Sequence, residues 1–72
     1  MKDKGIVDID AVVVKVLPNQ MFKVQLIEND HEVLCYASGK IKQNKIKIVE
    51  DDRVKIEVST HDLSRGRIVY RY

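Results

Sequence analysis

The sequence predicts an all-β fold, a five-stranded Greek-key barrel with one short helical turn between strands three and four. Two observations predict it: β-branched residues, chiefly valine and isoleucine, alternate with polar ones along most of the chain, and turn-forming residues divide the chain into short segments. With 72 residues the chain forms one domain with a small core. We expect a single barrel domain over residues 6–72 and a flexible N-terminus at residues 1–5.

The first apolar segment, residues 6–16, is the longest and predicts the first strand. Its run of valines at 12–14 breaks the alternation of a strand with one buried face. Such a run suits a strand that is covered on both sides or bent to serve two parts of a barrel. We therefore expect a long, curved first strand that ends in a turn at 17–20, where Pro18 removes a ladder donor.

The next two segments predict a hairpin partner and a third strand. The second strand begins near Met21, and after a turn at 28–30 the third strand occupies residues 32–36. In so small a core an aromatic side chain usually packs inside, so we expect Phe22 to be buried. Tyr36, beside the basic segment that follows, is expected to face outward.

The second half of the chain supplies the remaining elements. Residues 38–44 lose the period of two, and Ser38 can cap a short helical turn there. The segments that follow are an alternating stretch at 45–49, an acidic turn at 50–52, a strand at 53–58, a loop at 59–66 and a last strand at 67–72. This order is that of an oligonucleotide/oligosaccharide-binding (OB) barrel, whose second and third strands and adjoining loops commonly bind nucleic acid.

Basic residues concentrate in the second half of the chain. Residues 1–38 carry four Lys against six Asp/Glu, a net charge of −2, whereas residues 39–72 carry nine Lys/Arg against five Asp/Glu, a net charge of +4. Such asymmetry indicates an anionic partner. On composition alone, phosphate binding and a merely solvated strand face both remain open. The two basic clusters contain Lys40, Lys42, Lys45, Lys47, Arg65, Arg67 and Arg71.

The sequence shows no catalytic or metal-binding constellation. His31 and His61 are thirty residues apart in turn-like contexts, and Cys35 lies mid-strand, where a buried inert thiol is the usual outcome. One Cys and two separated His fit no zinc spacing. We therefore expect no enzyme activity, no cofactor and no metal.

Nothing in the sequence predicts a membrane contact or a disulfide. No segment approaches the roughly 18 apolar residues that span a bilayer, and the single cysteine cannot form an internal disulfide. We expect a monomer in a reducing compartment, the cytoplasm.

Three motifs resemble one family. Residues 17–24, LPNQMFKV, are similar to the LPNxMFxV signature of bacterial and plastid translation initiation factor one. Residues 38–42, SGKIK, resemble its SGKxR segment, and residues 62–71, DLSRGRIVYR, resemble its DLxRGRIxxR ending. The motifs follow the family's order, and the resemblance extends from about residue 6 to residue 71.

The resemblance implies an OB barrel that binds in the aminoacyl (A) site of the small ribosomal subunit. There it would contact decoding-centre RNA and a neighbouring ribosomal protein, block premature tRNA entry, and assist the other initiation factors in assembling the start complex. Its role would be binding and not catalysis. The candidate RNA-binding residues, with Tyr36 and Lys45 added from this chain's own pattern, are Asn19, Met21, Tyr36, Lys40, Lys42, Lys45, Lys47, Arg65, Arg67 and Arg71.

The chain departs from the family's pattern at several positions. Lys42 and Lys47 stand where Arg is usual, which keeps the charge and gives up the planar fork. Lys45 replaces a usual aromatic, so a phosphate contact or its alkyl stem must substitute. Asp51 replaces a usual glycine and would have to tolerate a positive φ. Ile27 resembles a one-residue insertion, which suggests a bulge.

Alternatives remain for the source and the function. Tyr36 stands where plastid members tend to carry Tyr and many bacterial members carry His, so the plastid stroma is an alternative location. A general single-strand RNA binder of the cold-shock kind would share the barrel, although it usually displays more aromatic residues on strands two and three. A protein-interaction barrel whose charges serve only solubility is the third hypothesis.

Overall fold

The structure, a computed structural model, describes residues 5–72. Most of the predicted flexible N-terminus, residues 1–5, therefore lies outside the described residues. The elements are β1 (Ile6–Leu17), β2 (Met21–Leu26), β3 (Glu32–Ala37), α1 (Gly39–Gln43), β4 (Arg53–Ser59) and β5 (Asp62–Arg71). The strands form a closed barrel in the order β1-β2-β3-β5-β4, with β1 also paired to β4. The predicted all-β barrel with one short helical turn after the third strand is confirmed.

β1 is the long, curved strand that the run of valines predicted. It pairs with β4 through Ile6–Val12 and with β2 through Ala11–Leu17. The register with β2 shifts between Val13 and Lys15, so Val14 is the extra residue of a β-bulge. A bulge bends its strand and redirects the side chains beyond it. Val13 is accordingly buried and Val14 is exposed.

The barrel interior is filled by side chains from all five strands. Phe22 is buried, as predicted, and α1 adds Ile41 while the segment after it adds Ile48. Each fully buried branched side chain contributes about 1.5–3 kcal/mol of hydrophobic stabilisation. The buried apolar residues are Ala11, Val13, Phe22, Val24, Leu26, Val33, Cys35, Ala37, Ile41, Ile48, Val54, Ile56, Val58 and Ile68.

Several turns place non-glycine residues at positive φ, and two of them bear on the barrel. In the β1–β2 hairpin, Asn19 and Gln20 have φ of 62° and 59°, which is the sign that both central residues of a type I′ turn require. Asp51 has φ of 74°, so it does tolerate the conformation expected where a glycine is usual. Its backbone N–H donates to the Val13 carbonyl at 2.8 Å, which ties this turn to β1 beside the bulge.

The prediction of a loop at 59–66 is wrong. β4 continues to Ser59 and β5 begins at Asp62, so the turn consists of Thr60 and His61. Residues 62–65 are exposed and, apart from Leu63, polar, so they look like a loop in the sequence. They belong to a strand because their backbone pairs with β3 and β4. The side-chain pattern does not reveal this pairing.

The alternating stretch at 45–49 lies in no strand. Lys45 has φ of 53°, which turns the chain out of the extended conformation before it can join a ladder. Ile46 and Ile48 belong to the core or pack against it, while Lys45 and Lys47, which alternate with them, stay exposed. The alternation therefore marks an irregular segment with one buried side. Ile27 lies in the turn after β2 and not in a bulge.

Gly66 is required where β5 passes between β3 and β4. It pairs with Cys35 on one side and Val58 on the other. A Cβ atom at this position would lie 2.8 Å from Cγ1 of Val58, 2.9 Å from the Glu57 carbonyl oxygen and 3.3 Å from Sγ of Cys35. No room exists for a side chain, so glycine lets β5 close the barrel and sets the position of the arginines on either side.

Candidate nucleic-acid interface

Met21, Tyr36 and Arg67 form a row across three neighbouring strands. Met21 of β2 pairs with Tyr36 of β3, and Tyr36 pairs with Arg67 of β5. Directly paired residues project from the same side of a sheet, and Tyr36 is 49% exposed, as expected for an outward-facing ring. The barrel thus brings together three predicted site residues from distant parts of the chain.

A second row lies two residues away along each strand and so faces the same side. Lys15 pairs with Lys23, Lys23 with Leu34, and Leu34 with Arg65. Sequence reasoning missed Lys15 and Lys23. The place of Lys23 between buried Phe22 and Val24 could have found it, whereas Lys15 lies between the exposed Val14 and Val16 and gives no such signal. Nζ of Lys23 lies 3.9 Å from Oε1 of Glu32. We call Lys15, Met21, Lys23, Leu34, Tyr36, Arg65 and Arg67 the β2–β3–β5 face.

Ser38 starts the short helix that carries the first lysines. Its Oγ accepts a hydrogen bond from the Ile41 N–H at 3.3 Å, and its own N–H donates to the Ile68 carbonyl at 3.0 Å. The predicted cap is confirmed, and it also ties the helix to β5. Because Ile41 is buried at the centre of this five-residue helix, Lys40 and Lys42 on either side of it remain exposed.

Lys45 ends the helix in a Schellman motif. The Lys45 N–H donates to the Lys42 carbonyl at 3.1 Å, and the Ile46 N–H donates to the Ile41 carbonyl at 3.2 Å. The residue just after the helix in this motif adopts the left-handed backbone conformation, so it is usually glycine. Here it is Lys45, with φ of 53°. We call the exposed cations that this loop presents, Lys40, Lys42, Lys45 and Lys47, the lysine segment.

A groove of about 490 Å³ lies between the lysine segment and the barrel. Its floor is apolar and includes Phe22 and Ile48. Gln20 also lines it, so the hairpin tip that carries Asn19 adjoins the lysine segment. The basic residues that line the groove are Lys42, Lys45 and Lys47.

The three predicted arginines differ in what already holds them. Nη1 of Arg71 donates to the Lys47 carbonyl at 2.8 Å and so fixes the lysine segment to β5. Nη2 of Arg67 donates to Oε1 of Glu57, and this bond raises the pKa of the Arg67 guanidinium. Arg65 forms no ion pair with any residue in the described part of the chain.

β1, β4 and the end of β5 form a face of different chemistry. Oη of Tyr72 donates to Oδ1 of Asp10 at 2.6 Å, and this bond raises the pKa of Tyr72. The Tyr70 and Tyr72 rings meet edge to face at 5.2 Å, and the Arg53 guanidinium carbon lies 5.9 Å from the centre of the Tyr72 ring. We call these four residues, with Lys55 paired between Asp10 and Tyr70, the Tyr72 cluster. Sequence reasoning assigned it no role.

The predicted burial of Cys35 is confirmed. Burial raises the pKa of its thiol to about 12, so the thiol is protonated at neutral pH and is a poor nucleophile. Residues 5–72 contain no group of three His, Cys, Asp or Glu side chains able to hold a metal ion. Among the described residues, no helix has the length and apolar character needed to cross a membrane.

Comparison with known proteins identifies the family. The family model for translation initiation factor 1A / IF-1 matches residues 2–72. The solution structure of translation initiation factor one from the Wolbachia endosymbiont strain TRS of Brugia malayi is 38% identical in sequence, with a TM-score of 0.78, over 99% of this chain and 83% of that chain.

A second solved structure, YjeQ from Thermotoga maritima, is 26% identical with a TM-score of 0.76. The match covers 92% of this chain and 23% of YjeQ, so it concerns one part of a larger protein. The Wolbachia factor, by contrast, matches along most of the length of both chains. The chain belongs to the translation initiation factor 1A / IF-1 family and is of the bacterial type.

Proposed function

We propose that this translation initiation factor binds the small ribosomal subunit in the A site, at the decoding centre, and contacts rRNA through the β2–β3–β5 face and the lysine segment. The observation that carries the proposal is the row Met21, Tyr36 and Arg67, flanked by Arg65. An exposed ring beside guanidinium groups offers both a stacking surface and phosphate contacts. The role is binding, without a catalytic step.

The lysine segment supplies the sequence-independent part of the affinity. Each lysine that neutralises a phosphate releases counterions, and this release favours binding. Lys45 follows the end of α1, has a left-handed backbone conformation and lines the apolar groove. Its alkyl stem can cover apolar surface there while the ammonium group remains in solvent. This arrangement would replace the aromatic side chain usual at that position.

The hairpin tip completes the proposed surface. Asn19 lies at the turn between β1 and β2, next to the groove-lining Gln20, and Met21 begins β2 in the row with Tyr36. Asn19 and Met21 therefore connect the lysine segment with the β2–β3–β5 face. We propose that both contact the RNA helix of the decoding region.

The proposed partners follow from the same position on the ribosome. They are the small-subunit rRNA, a neighbouring ribosomal protein and the other initiation factors, whose assembly the chain would assist while it blocks premature tRNA entry. The proposed location is the cytoplasm, or alternatively the plastid stroma. The protein would act there as a monomer.

Salt-dependent co-sedimentation with isolated small subunits tests the proposal. About six phosphate contacts should reduce affinity on the order of a thousandfold between about 50 and 200 mM salt. A chemical footprint of the rRNA should show protection confined to the decoding region. Binding that is absent or insensitive to salt, or protection elsewhere, would refute the proposed site.

The cold-shock-type alternative finds less support in the geometry. Of the aromatic residues on β2 and β3, Phe22 is buried and Tyr36 is exposed, so this face offers little stacking area for an unstructured strand. Equal affinity for unstructured oligonucleotides and for small subunits would favour that alternative. If Lys40→Glu combined with Arg67→Glu left all partner binding unchanged, the charges would serve only solubility.

A further inference from the structure

Glu57 occupies an unexpected position for an acidic residue, because it lies beside the proposed RNA-binding row. Arg67 pairs with Tyr36 of β3 on one side and with Glu57 of β4 on the other. Glu57 therefore extends the row Met21, Tyr36 and Arg67 by one residue. Its Oε1 accepts a hydrogen bond from Nη2 of Arg67.

The other acidic residue nearby is directed elsewhere. Glu57 and Asp62 both line a shallow groove of about 410 Å³ together with Arg65 and Arg67. Oδ1 of Asp62, however, accepts hydrogen bonds from the hydroxyl of Ser64 at 2.5 Å and from its N–H at 3.1 Å. Asp62 thus closes its own turn, whereas Glu57 faces the guanidinium group of Arg67.

The two arginines of this groove are consequently unequal. Arg65 has no ion pair among residues 5–72, although its charge interacts with the Asp62 carboxylate, so a phosphate that binds Arg65 has no directly paired carboxylate to displace. A phosphate that binds Arg67 must either displace the carboxylate of Glu57 or use the N–H groups that Glu57 leaves available. One of the five N–H donors of the guanidinium is used in the bond to Glu57.

The pair also restricts the direction of the guanidinium plane. An arginine held by a carboxylate has its remaining donors restrained in direction, here on the strand that pairs with β3 at Tyr36. A ligand whose phosphates and bases stand in the matching arrangement can use those donors. An unstructured strand gains less, since it would have to be ordered to match them. Both side chains of the pair are partly exposed, so the pair is weak enough for its removal to leave the fold intact.

We propose that Glu57 is a specificity-determining residue: by pairing with Arg67 it suppresses binding to unstructured RNA more than it suppresses binding to the folded rRNA site. Glu57 acts on RNA through Arg67 and is therefore a positioning residue. This inference rests on the proposed function, because it requires that the β2–β3–β5 face bind structured RNA.

The test compares Glu57→Gln with Glu50→Gln. Both variants remove one negative charge, but Glu50 lies exposed in the turn before β4, away from the row. Each is measured against an unstructured oligoribonucleotide and against isolated small subunits, over a series of salt concentrations. Glutamine retains the size and an acceptor oxygen of Glu57, and a thermal melt checks that the variant folds.

Removing the carboxylate charge beside Arg67 makes the guanidinium charge available for about one more phosphate contact. For the oligoribonucleotide, Glu57→Gln should therefore steepen the dependence of log affinity on log salt by about 0.7, which is roughly fivefold tighter binding near 0.1 M salt, relative to Glu50→Gln. Affinity for small subunits should change by less than about twofold, because the gain in available charge is offset by the loss of orientation. In an Arg67→Gln background, the effect of Glu57→Gln should disappear.

The outcomes separate this inference from the proposed function. If the wild-type chain binds small subunits and Glu57→Gln behaves like Glu50→Gln, the role of Glu57 is refuted and the proposed function stands. The role is also refuted if affinities for both RNAs rise equally, or if the effect persists without Arg67. If the wild-type chain does not bind small subunits, both are overturned.

Discussion

On the β2–β3–β5 face, Lys23 and Arg67 pair with the carboxylates Glu32 and Glu57 while Arg65 forms no ion pair in the described part of the chain. In the Tyr72 cluster on β1, β4 and β5, by contrast, aromatic groups engage the charges: Asp10 accepts from Tyr72, whose ring also lies near Arg53. The same barrel thus has one face where a cation remains available to a ligand beside paired ones and another where the charges lie against aromatic groups. The difference teaches that net charge is a poor guide to the binding surface. The contacts that each charged side chain already makes are a better guide.

Charge reversal should separate the two faces most strongly. Lys40→Glu combined with Arg67→Glu should weaken small-subunit binding on the order of a hundredfold or more at moderate salt, because two phosphate contacts become repulsive. The matched control, Arg53→Glu with Lys55→Glu, makes the same change of net charge in the Tyr72 cluster and should weaken binding less than about tenfold. Equal losses measured by co-sedimentation would show that total charge, and not the face, governs binding.

Gly66→Ala should damage both faces together, because β5 joins them. The added Cβ would overlap the Val58 side chain and the Glu57 carbonyl, and overpacking of this kind typically lowers the free energy of unfolding by about 1–3 kcal/mol. Gly39→Ala is the control, since a Cβ there meets no atom within 4 Å. Chemical denaturation should show a clear loss for the first variant and little change for the second. Equal stability of the two would contradict the close packing of β5.

Lys45→Gly should affect the two properties of the lysine segment in opposite directions. Glycine adopts the left-handed conformation of this helix terminus without strain, so the free energy of unfolding should rise by about 0.5–1 kcal/mol. The loss of one cation should weaken RNA binding by roughly fivefold near 0.1 M salt. Lys55→Gln, which removes a cation from the Tyr72 cluster, should leave binding nearly unchanged. A Lys45→Gly variant that binds as tightly as wild type would remove Lys45 from the interface.

The smallest expected effect is a titration within the Tyr72 cluster. The bond to Asp10 raises the pKa of Tyr72, so this phenol should titrate above its usual value of about 10, and Asp10→Asn should bring it down. Because the folded-state pKa is raised, the stabilisation is fully present below the unfolded-state pKa and is lost as the pH rises through the folded-state pKa. Ultraviolet absorbance of the tyrosines measures this. Titration of Tyr72 at or below its ordinary value would contradict the bond.

Much of the fold could be predicted from side-chain periodicity, because burial on one side of a strand imposes a period of two. The triple valine of β1, which breaks this period, and the Ser38 cap are further local signals, and both predictions were confirmed. The start of β5 was missed because its exposed side chains show no period, while backbone pairing holds the strand: Asp62 pairs with Ser59 across the turn and Arg65 pairs with the distant Leu34. The stretch at 45–49 looked like a strand for the converse reason. One side of it is buried, so its side chains alternate, but its backbone pairs with no strand.

The residue types of the candidate site could be predicted, but which of these residues lie side by side and which partners hold them could not. The lysines and arginines stand out in the sequence, and their contact with RNA stays a prediction. The register that aligns Met21, Tyr36 and Arg67 depends on barrel closure, which no local pattern specifies. For the same reason no sequence pattern indicated that Arg67 would be held by Glu57 or that Arg71 would bond to Lys47.

The parallel pairing of β3 with β5 determines when, during folding, the protein becomes able to bind RNA. Antiparallel neighbours such as β1 and β2 can pair early, since short turns join them, but Tyr36 and Arg67 are brought together by strands that are separated in the chain by α1 and β4. The row on the β2–β3–β5 face therefore forms only after β5, the last strand in chain order, has joined β3. A growing or partly unfolded chain would present the lysine segment without the arginines beside Tyr36, and so should be unable to occupy a ribosome before its barrel has closed.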